Sequence, residues 1–220
     1  MSSSTLRGCI LAAADALEGA REELCRLDAV AGDGDHGVTM ALAARAVRQK
    51  LDEAPDLEGA DLLARVALGM GSVGGAIGPI YASALLRVAA TVRALGPISD
   101  EPTVTQLAAI GRAALDGITT IGRAAPGDKT VVDAIAPAVR AVSEAETADL
   151  GVTDALEAAV SAARAGADST ADMIASVGRA SRLGERGRGS PDPGASSFVV
   201  IVDAALKAYR GRIDDRTSGS

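Results

Sequence analysis

The stretch Leu27-Asp28-Ala29-Val30-Ala31-Gly32-Asp33-Gly34-Asp35-His36-Gly37 crowds three carboxylates together and ends on the only histidine of the chain. Carboxylate oxygens on a loop that glycine allows to curl suit a hard cation, whose preferred ligands are oxygens. The pattern is not an EF-hand: no glutamate stands at the twelfth position, and the glycine is misplaced. Zinc is disfavoured by a single histidine and two distant cysteines, Cys9 and Cys25. Magnesium fits better, because it takes a few carboxylates and completes its shell with water and ligand phosphates. A solvated Asp-Gly turn capping the next helix would account for two of the aspartates but leaves the third unexplained. His36 and Gly37 then open a helix, where free N–H groups suit an anion such as phosphate. His36 either contacts that ligand or serves as a cap and packing residue.

Three further stretches carry unusual chemistry. Gly69–Pro79 is glycine at nearly every second position, so its backbone amides can approach an anion. It is not a Walker A loop, since no Gly-Lys-Ser/Thr follows and a helical pattern precedes it. In Gly122–Thr130 a Gly-x-x-x-x-Gly is followed by Asp-Lys-Thr, one residue out of register with that motif. Lys129 there either neutralises phosphate or lies in solvent, and Asp128 can cap the following helix. Gly178–Gly194 places Arg179, Arg182, Arg186 and Arg188 beside Glu185 and Asp192, a basic loop in an acidic protein. For both glycine-rich turns the plain alternative is tight helix packing, and for the arginines it is a solvated loop. Nucleophilic catalysis lacks a base, because the sole histidine already lies in the acidic motif. The aromatics Tyr81, Phe198 and Tyr209 leave little for stacking, so a bound base would be held by aliphatic side chains.

Helices must position these loops. The chain is 48% apolar but only 1% aromatic, and its alanine and leucine content favours closely packed helices. A domain over residues 1–210 with a frayed tail over 211–220 is expected. The net charge of −7 argues against nucleic acid or an anionic membrane as partner. Two thiols too far apart on one helix to bridge, no signal-peptide pattern and no membrane-length apolar run point to the cytoplasm. Leu6, Ile10, Ala13, Leu17, Ala20, Leu24 and Leu27 step by three and four, which predicts one long first helix. Helices follow over about Gly37–Lys50, Asp61–Met70, Pro79–Leu95, Thr103–Ile118, Thr130–Val142 (kinked at Pro137), Val152–Ile174 and Ala195–Tyr209. Phe198–Val202 alone could be a strand, but it has no partner strand. About eight helices with short connections imply an all-α, single-domain, antiparallel up-and-down barrel or bundle. Alternate loops then share one end, and the four unusual stretches are the alternate loops.

Four ordered motifs resemble the nucleotide-binding (L) subunit family of dihydroxyacetone kinases over nearly the whole chain. They are Gly-Asp-Gly-Asp-His-Gly at 32–37, Ser-Val-Gly-Gly-Ala-x-Gly-Pro at 72–79, Pro-Gly-Asp-Lys-Thr at 126–130, and Gly-Arg-Ala-Ser-x-Leu-Gly-Glu-Arg with Asp-Pro-Gly-Ala at 178–186 and 192–195. The resemblance implies an eight-helix barrel whose loops at one end hold ADP or ATP through two magnesium ions. It matches Asp28, Asp33 and Asp35 to the magnesium ligands. It matches His36, Gly37, Thr39, Ala76, Ile77, Gly122, Val131, Arg179, Asp192 and Gly194 to the nucleotide contacts. Ile77 departs from the family's usual serine, Thr39 often appears as asparagine, and Arg182 stands where an aromatic is common. The resemblance also implies a kinase without a catalytic side chain of its own. The substrate is held by a histidine of a separate K-type subunit, and the donor is exchanging ATP or a phosphotransferase-system phosphocarrier that recharges bound ADP. A homodimer, a related ketose such as erythrulose, and a non-catalytic nucleotide-sensing role stay open.

Overall fold

A computed structural model describes residues 3–98, 101–178 and 180–218. Among these residues there are nine α-helices and no strand: α1 (Ser3–Gly19), α2 (Arg21–Ala31), α3 (His36–Asp52), α4 (Gly59–Gly71), α5 (Ile77–Leu95), α6 (Val104–Gly122), α7 (Val132–Thr147), α8 (Val152–Ser169) and α9 (Pro193–Ser218). Short 3-10 turns at Thr170–Asp172 and Ala180–Gly187 separate α8 from α9.

Consecutive helices from α3 to α9 pack side by side, α9 packs on α1, and α1 packs on α3. Eight helices therefore close into a ring, the expected barrel. The expected first helix is two: Gly19 ends α1, and Ala20 leaves helical geometry at φ −85° and ψ 2°. Hydrogen bonds run through the break, from Ala20 N to Ala16 O (2.9 Å) and from Leu24 N to Ala20 O (3.0 Å). The result is a bend that frees α2 to lean on α3, the Ala180–Gly187 turn and α9. Phe198–Val202 is helical, as expected of a run with no partner strand. The segment from residue 211 onward, expected as a tail, continues α9 to Ser218, and the Arg212 guanidinium ties it to α1 by donating to Ser4 O at 3.3 Å.

The near-absence of aromatics follows from how closely these helices approach. A Cβ on Gly117 of α6 would lie 2.5 Å from Ala84 Cα of α5, and one on Gly166 of α8 would lie 2.1 Å from Asp133 O of α7. Such contacts leave room for Met40, Leu62, Leu24 and Leu51 in one core cluster and for Ile118, Val132 and Ile135 in another, but for few rings. Pro137 sits inside α7, where its missing N–H is tolerated as part of a helix held on both sides.

Gly117→Ala should lower stability by about 1–3 kcal/mol, although alanine is the better helix former by roughly 1 kcal/mol, because α5 and α6 must separate. Gly19→Ala, with nothing within 4 Å of the new methyl, should be neutral or stabilising. Urea midpoints of the two variants check the contrast.

Candidate functional site

The acidic loop joins α2 to α3. Gly32 N donates to Asp28 O at 2.6 Å, so the chain curls back at the end of α2. Asp28 Oδ2 accepts from Asp35 N (2.9 Å) and His36 N (3.2 Å), which fastens the start of α3 to the carboxylate. A Cβ on Gly32 would fall 2.2 Å from Asp28 Oδ1, so this curl requires glycine. One oxygen from each of Asp28, Asp33 and Asp35 lies within 4.8 Å of the others; Asp28 is half-buried, and the other two are exposed. Three like charges at this spacing repel one another unless a cation neutralises them. All donors are hard oxygens, which fits magnesium and not a thiolate- or imidazole-seeking metal.

Asp28 and Gly32 also line a cavity of about 270 Å³ at the same end of the barrel. Its other walls include Ala76 and Ile80 at and just inside the start of α5, Gly122, Ala124 and residues 129–132 of the α6–α7 connection, and Gly178, Ala180, Gly187 and residues 190–193 of the last loop. The four alternate loops therefore converge on one space. Leu27, Ile80, Ile118, Val131, Val132 and Val177 make its apolar walls, and no aromatic side chain lines it.

Dense hydrogen bonding holds the α6–α7 loop. Asp133 accepts from Gly127 N (2.5 Å) and Thr130 N (2.8 Å), the second in the reach-back half of a capping box spelled Thr130-x-x-Asp133. Asp128 accepts from Ala125 N (2.7 Å) and from the Ser176 hydroxyl, and these bonds hold its carboxyl below the usual range. Lys129 does not lie in solvent: it is 5% exposed, it lines the cavity, and its Nζ donates to Thr170 O (2.6 Å) and Ser190 O (2.7 Å). Across the cavity, Asp192 caps α9 by accepting from Ala195 N (2.7 Å), while its own N–H donates to Thr170 Oγ1 (2.7 Å). Burial pushes its carboxyl up to about 7, against the pull of the Ala195 amide and Lys129.

Of the anticipated contacts, Asp28, Ala76, Gly122, Val131 and Asp192 line the cavity, and Asp33 and Asp35 complete the cluster at its edge. Gly194 borders it beside Asp192 and Val131. His36, Gly37, Thr39 and Ile77 are not among the lining residues. His36 Nε2 lies 3.0 Å from Ser197 Oγ, whose proton goes to Gly194 O (2.9 Å), so the imidazole joins α3 to the first turn of α9. Burial lowers its pKa, partly offset by Asp28. A Cβ on Gly37 would meet Arg21 O at 2.0 Å, so that glycine serves the α2–α3 approach. Thr39 stands in the first turn of α3, its N–H bonded to Asp35 O, and Ile77 packs on the larger core cluster. Arg179 lies outside the described residues. Thr130, Asp133 and Ser197 are residues the spacing did not assign; of these only the Thr130-x-x-Asp133 pattern was readable in advance.

A closed helical ring with a carboxylate cluster and an apolar cavity at one loop end defines a helical-barrel ligand-binding domain. The DAK2 domain family matches residues 30–207, and the chain belongs to that family. It is 36% identical over 190 residues to the ADP-binding subunit DhaL of the PEP-dependent dihydroxyacetone kinase of Escherichia coli, which covers 86% of this chain and 89% of that one. It is 38% identical over 187 residues to the L-erythrulose 1-kinase of Mycolicibacterium smegmatis, covering 83% of this chain but 31% of the relative. The crystal structure of the dihydroxyacetone kinase from C. freundii in complex with AMP-PNP and Mg2+ superposes with a TM-score of 0.68 at 25% identity, over 91% of this chain and 33% of that one. The chain thus spans most of the free-standing subunit and about a third of the longer kinases. Among the described residues no helix is long and apolar enough to cross a membrane.

Asp192 generates a pH prediction. Its folded carboxyl titrates near 7 and an unfolded one near 4, so between those values the folded chain holds a proton that the unfolded chain has lost. This group therefore removes stability as pH rises from about 4 to about 7. Asp192→Asn keeps an oxygen acceptor for Ala195 N without the charge. Its stability relative to wild type should rise across that interval and level off above it, as read from denaturant curves at a series of pH values.

Proposed function

We propose that this chain is the nucleotide-holding subunit of a kinase that phosphorylates a small ketose, with dihydroxyacetone the first candidate. The observation that carries the reading is the meeting of Asp28, Asp33 and Asp35 with the mouth of the cavity built by all four loops. The names of the relatives support it: one is an ADP-binding subunit, and one structural neighbour is a dihydroxyacetone kinase solved with AMP-PNP and Mg2+.

In this reading the apolar walls, Ile80, Ile118, Val131 and Val132, exclude water around the base and ribose of ADP or ATP. The carboxylate cluster marks the phosphate end and holds magnesium, two ions in the fully loaded site. Bound magnesium supplies the positive charge that an acidic protein lacks, neutralising the phosphates and the charge that spreads over a transferred phosphoryl group. The chain's own residues bind and orient. Asp28 keeps the end of α2 and the start of α3 in register, His36 and Ser197 tie α3 to α9, and Asp192 caps α9 beside the ligand. The sole histidine is engaged by Ser197, which leaves no free imidazole to serve as a base on an alcohol acceptor. The acceptor therefore arrives on a K-type subunit docked on the loop end, and the phosphoryl group comes either from exchanging ATP or from a phosphocarrier that recharges ADP in place. Erythrulose is the second acceptor worth testing, because two kinds of erythrulose kinase are among the relatives.

Asp33→Ala should abolish magnesium-dependent ADP binding in calorimetry while leaving the helical circular dichroism unchanged; ADP binding that survives would make the acidic loop a mere turn. ADP kept through long dialysis of the purified chain would assign the phosphocarrier route, and rapid loss would assign ATP exchange. Mixed with a K-type subunit, the chain should support ketose phosphorylation that neither protein shows alone.

A further inference from the structure

Lys129 faces the cavity, yet its ammonium is engaged elsewhere. The residue is 5% exposed and sits at φ +60°, a left-handed geometry that a side chain other than glycine adopts only where its surroundings hold it. The surroundings do so: Asp133 takes the amides of Gly127 and Thr130 on either side of Lys129, and Asp128 is bonded to Ala125 and Ser176. This geometry sends the lysine stem inward to two carbonyls on different segments. Thr170 O belongs to the 3-10 turn after α8, and Ser190 O belongs to the passage that leads into α9. The same passage is stitched to that turn by Gly189 N to Ala171 O (2.8 Å) and by Asp192 N to Thr170 Oγ1 (2.7 Å).

Three segments thus meet at one nitrogen, and two of them, the α6–α7 loop and the Ser190–Asp192 passage, line the cavity. We infer that Lys129 is a positioning residue: its ammonium pins the Thr170–Asp172 turn and the Ser190–Asp192 passage to the α6–α7 loop, giving the cavity its far wall, and it does not hold the ligand's phosphates. An ammonium has three N–H donors, and two are taken by carbonyls at close range. Burial pulls the pKa of the ammonium down, and Asp192 and Asp172 offset part of that pull, so its charge is met in part from within the protein. Loss of the ammonium would leave two carbonyls without these donors and release the passage that carries Asp192. The inference rests on the nucleotide reading only for the identity of the ligand; the pinning of the wall stands on the geometry.

The test uses the full chain. With acetic anhydride on the wild type, Lys129 should react far more slowly than exposed Lys207, and equally slowly with or without magnesium-ADP. Fast reaction in the free chain, or protection that appears only with ADP, would overturn the inference. Lys129→Met should raise amide exchange across residues 188–194 at least tenfold over wild type, leave α3 and α4 unchanged, and weaken ADP and adenosine by the same factor, at least about tenfold. A loss confined to ADP would make Lys129 a phosphate ligand, and unchanged exchange would remove the clamp. Lys129→Arg separates the roles again: a phosphate ligand tolerates the guanidinium, whereas a closed pocket shaped for an ammonium does not, so ADP affinity should fall. If the wild type binds no ADP at all, the nucleotide reading fails, while acetylation and exchange still judge the clamp.

Discussion

The site depends on what Asp28 does with its two oxygens. One takes the amides of Asp35 and His36, which fixes where α3 begins and aims the loop between them. The carboxylate also supplies an oxygen to a cluster whose other members, Asp33 and Asp35, ride on that loop. The same group thus builds the turn and adds to the negative charge that makes the turn costly without a cation. An apolar replacement would lose the turn, and a neutral amide would keep part of the turn but lose the charge. Folding of the loop and demand for a cation cannot be separated at this position, and Gly32 is bound into the same constraint because a Cβ there would strike Asp28.

Much of this was legible in the chain. Helix periodicity placed nearly every element, and the rule that alternate loops share an end brought the four unusual stretches together, as the shared cavity bears out. The misses have physical causes. Ala20 continues the apolar phase of its neighbours, so periodicity could not see that the chain bends after Gly19. Ile174 fits the phase of α8, but the helix stops at Ser169 and gives way to the turn that Lys129 and Asp192 grip. Residue 211 onward lacks an apolar stripe, yet α9 continues to Ser218, and Arg212 there donates to Ser4 O of α1, a contact that local spacing cannot reveal.

Side-chain destinations were harder to read than elements. Lys129 offered two surface roles, phosphate or solvent, because sequence spacing cannot reveal two carbonyls contributed by segments far along the chain. Ser197 looked like one more residue of an apolar helix, yet it is fully buried and receives the single imidazole. His36 and Gly37 were read from their place at a helix start. The structure gives them packing roles there, joining α3 to α9 and to α2.

The composition of those walls constrains recognition. They carry aliphatic side chains and no ring, so a planar base inserted there gains from leaving water but not from stacking. Desolvation of this kind distinguishes bases weakly, since one small difference in an apolar pocket is worth only about 1–3 kcal/mol. The charged end differs: Asp28, Asp33 and Asp35, with one oxygen of each within 4.8 Å of the others, form a group that could hold a cation, and a bound cation in turn favours an anionic ligand. Discrimination at such a site is therefore weighted toward the number and charge of the phosphates over the identity of the base.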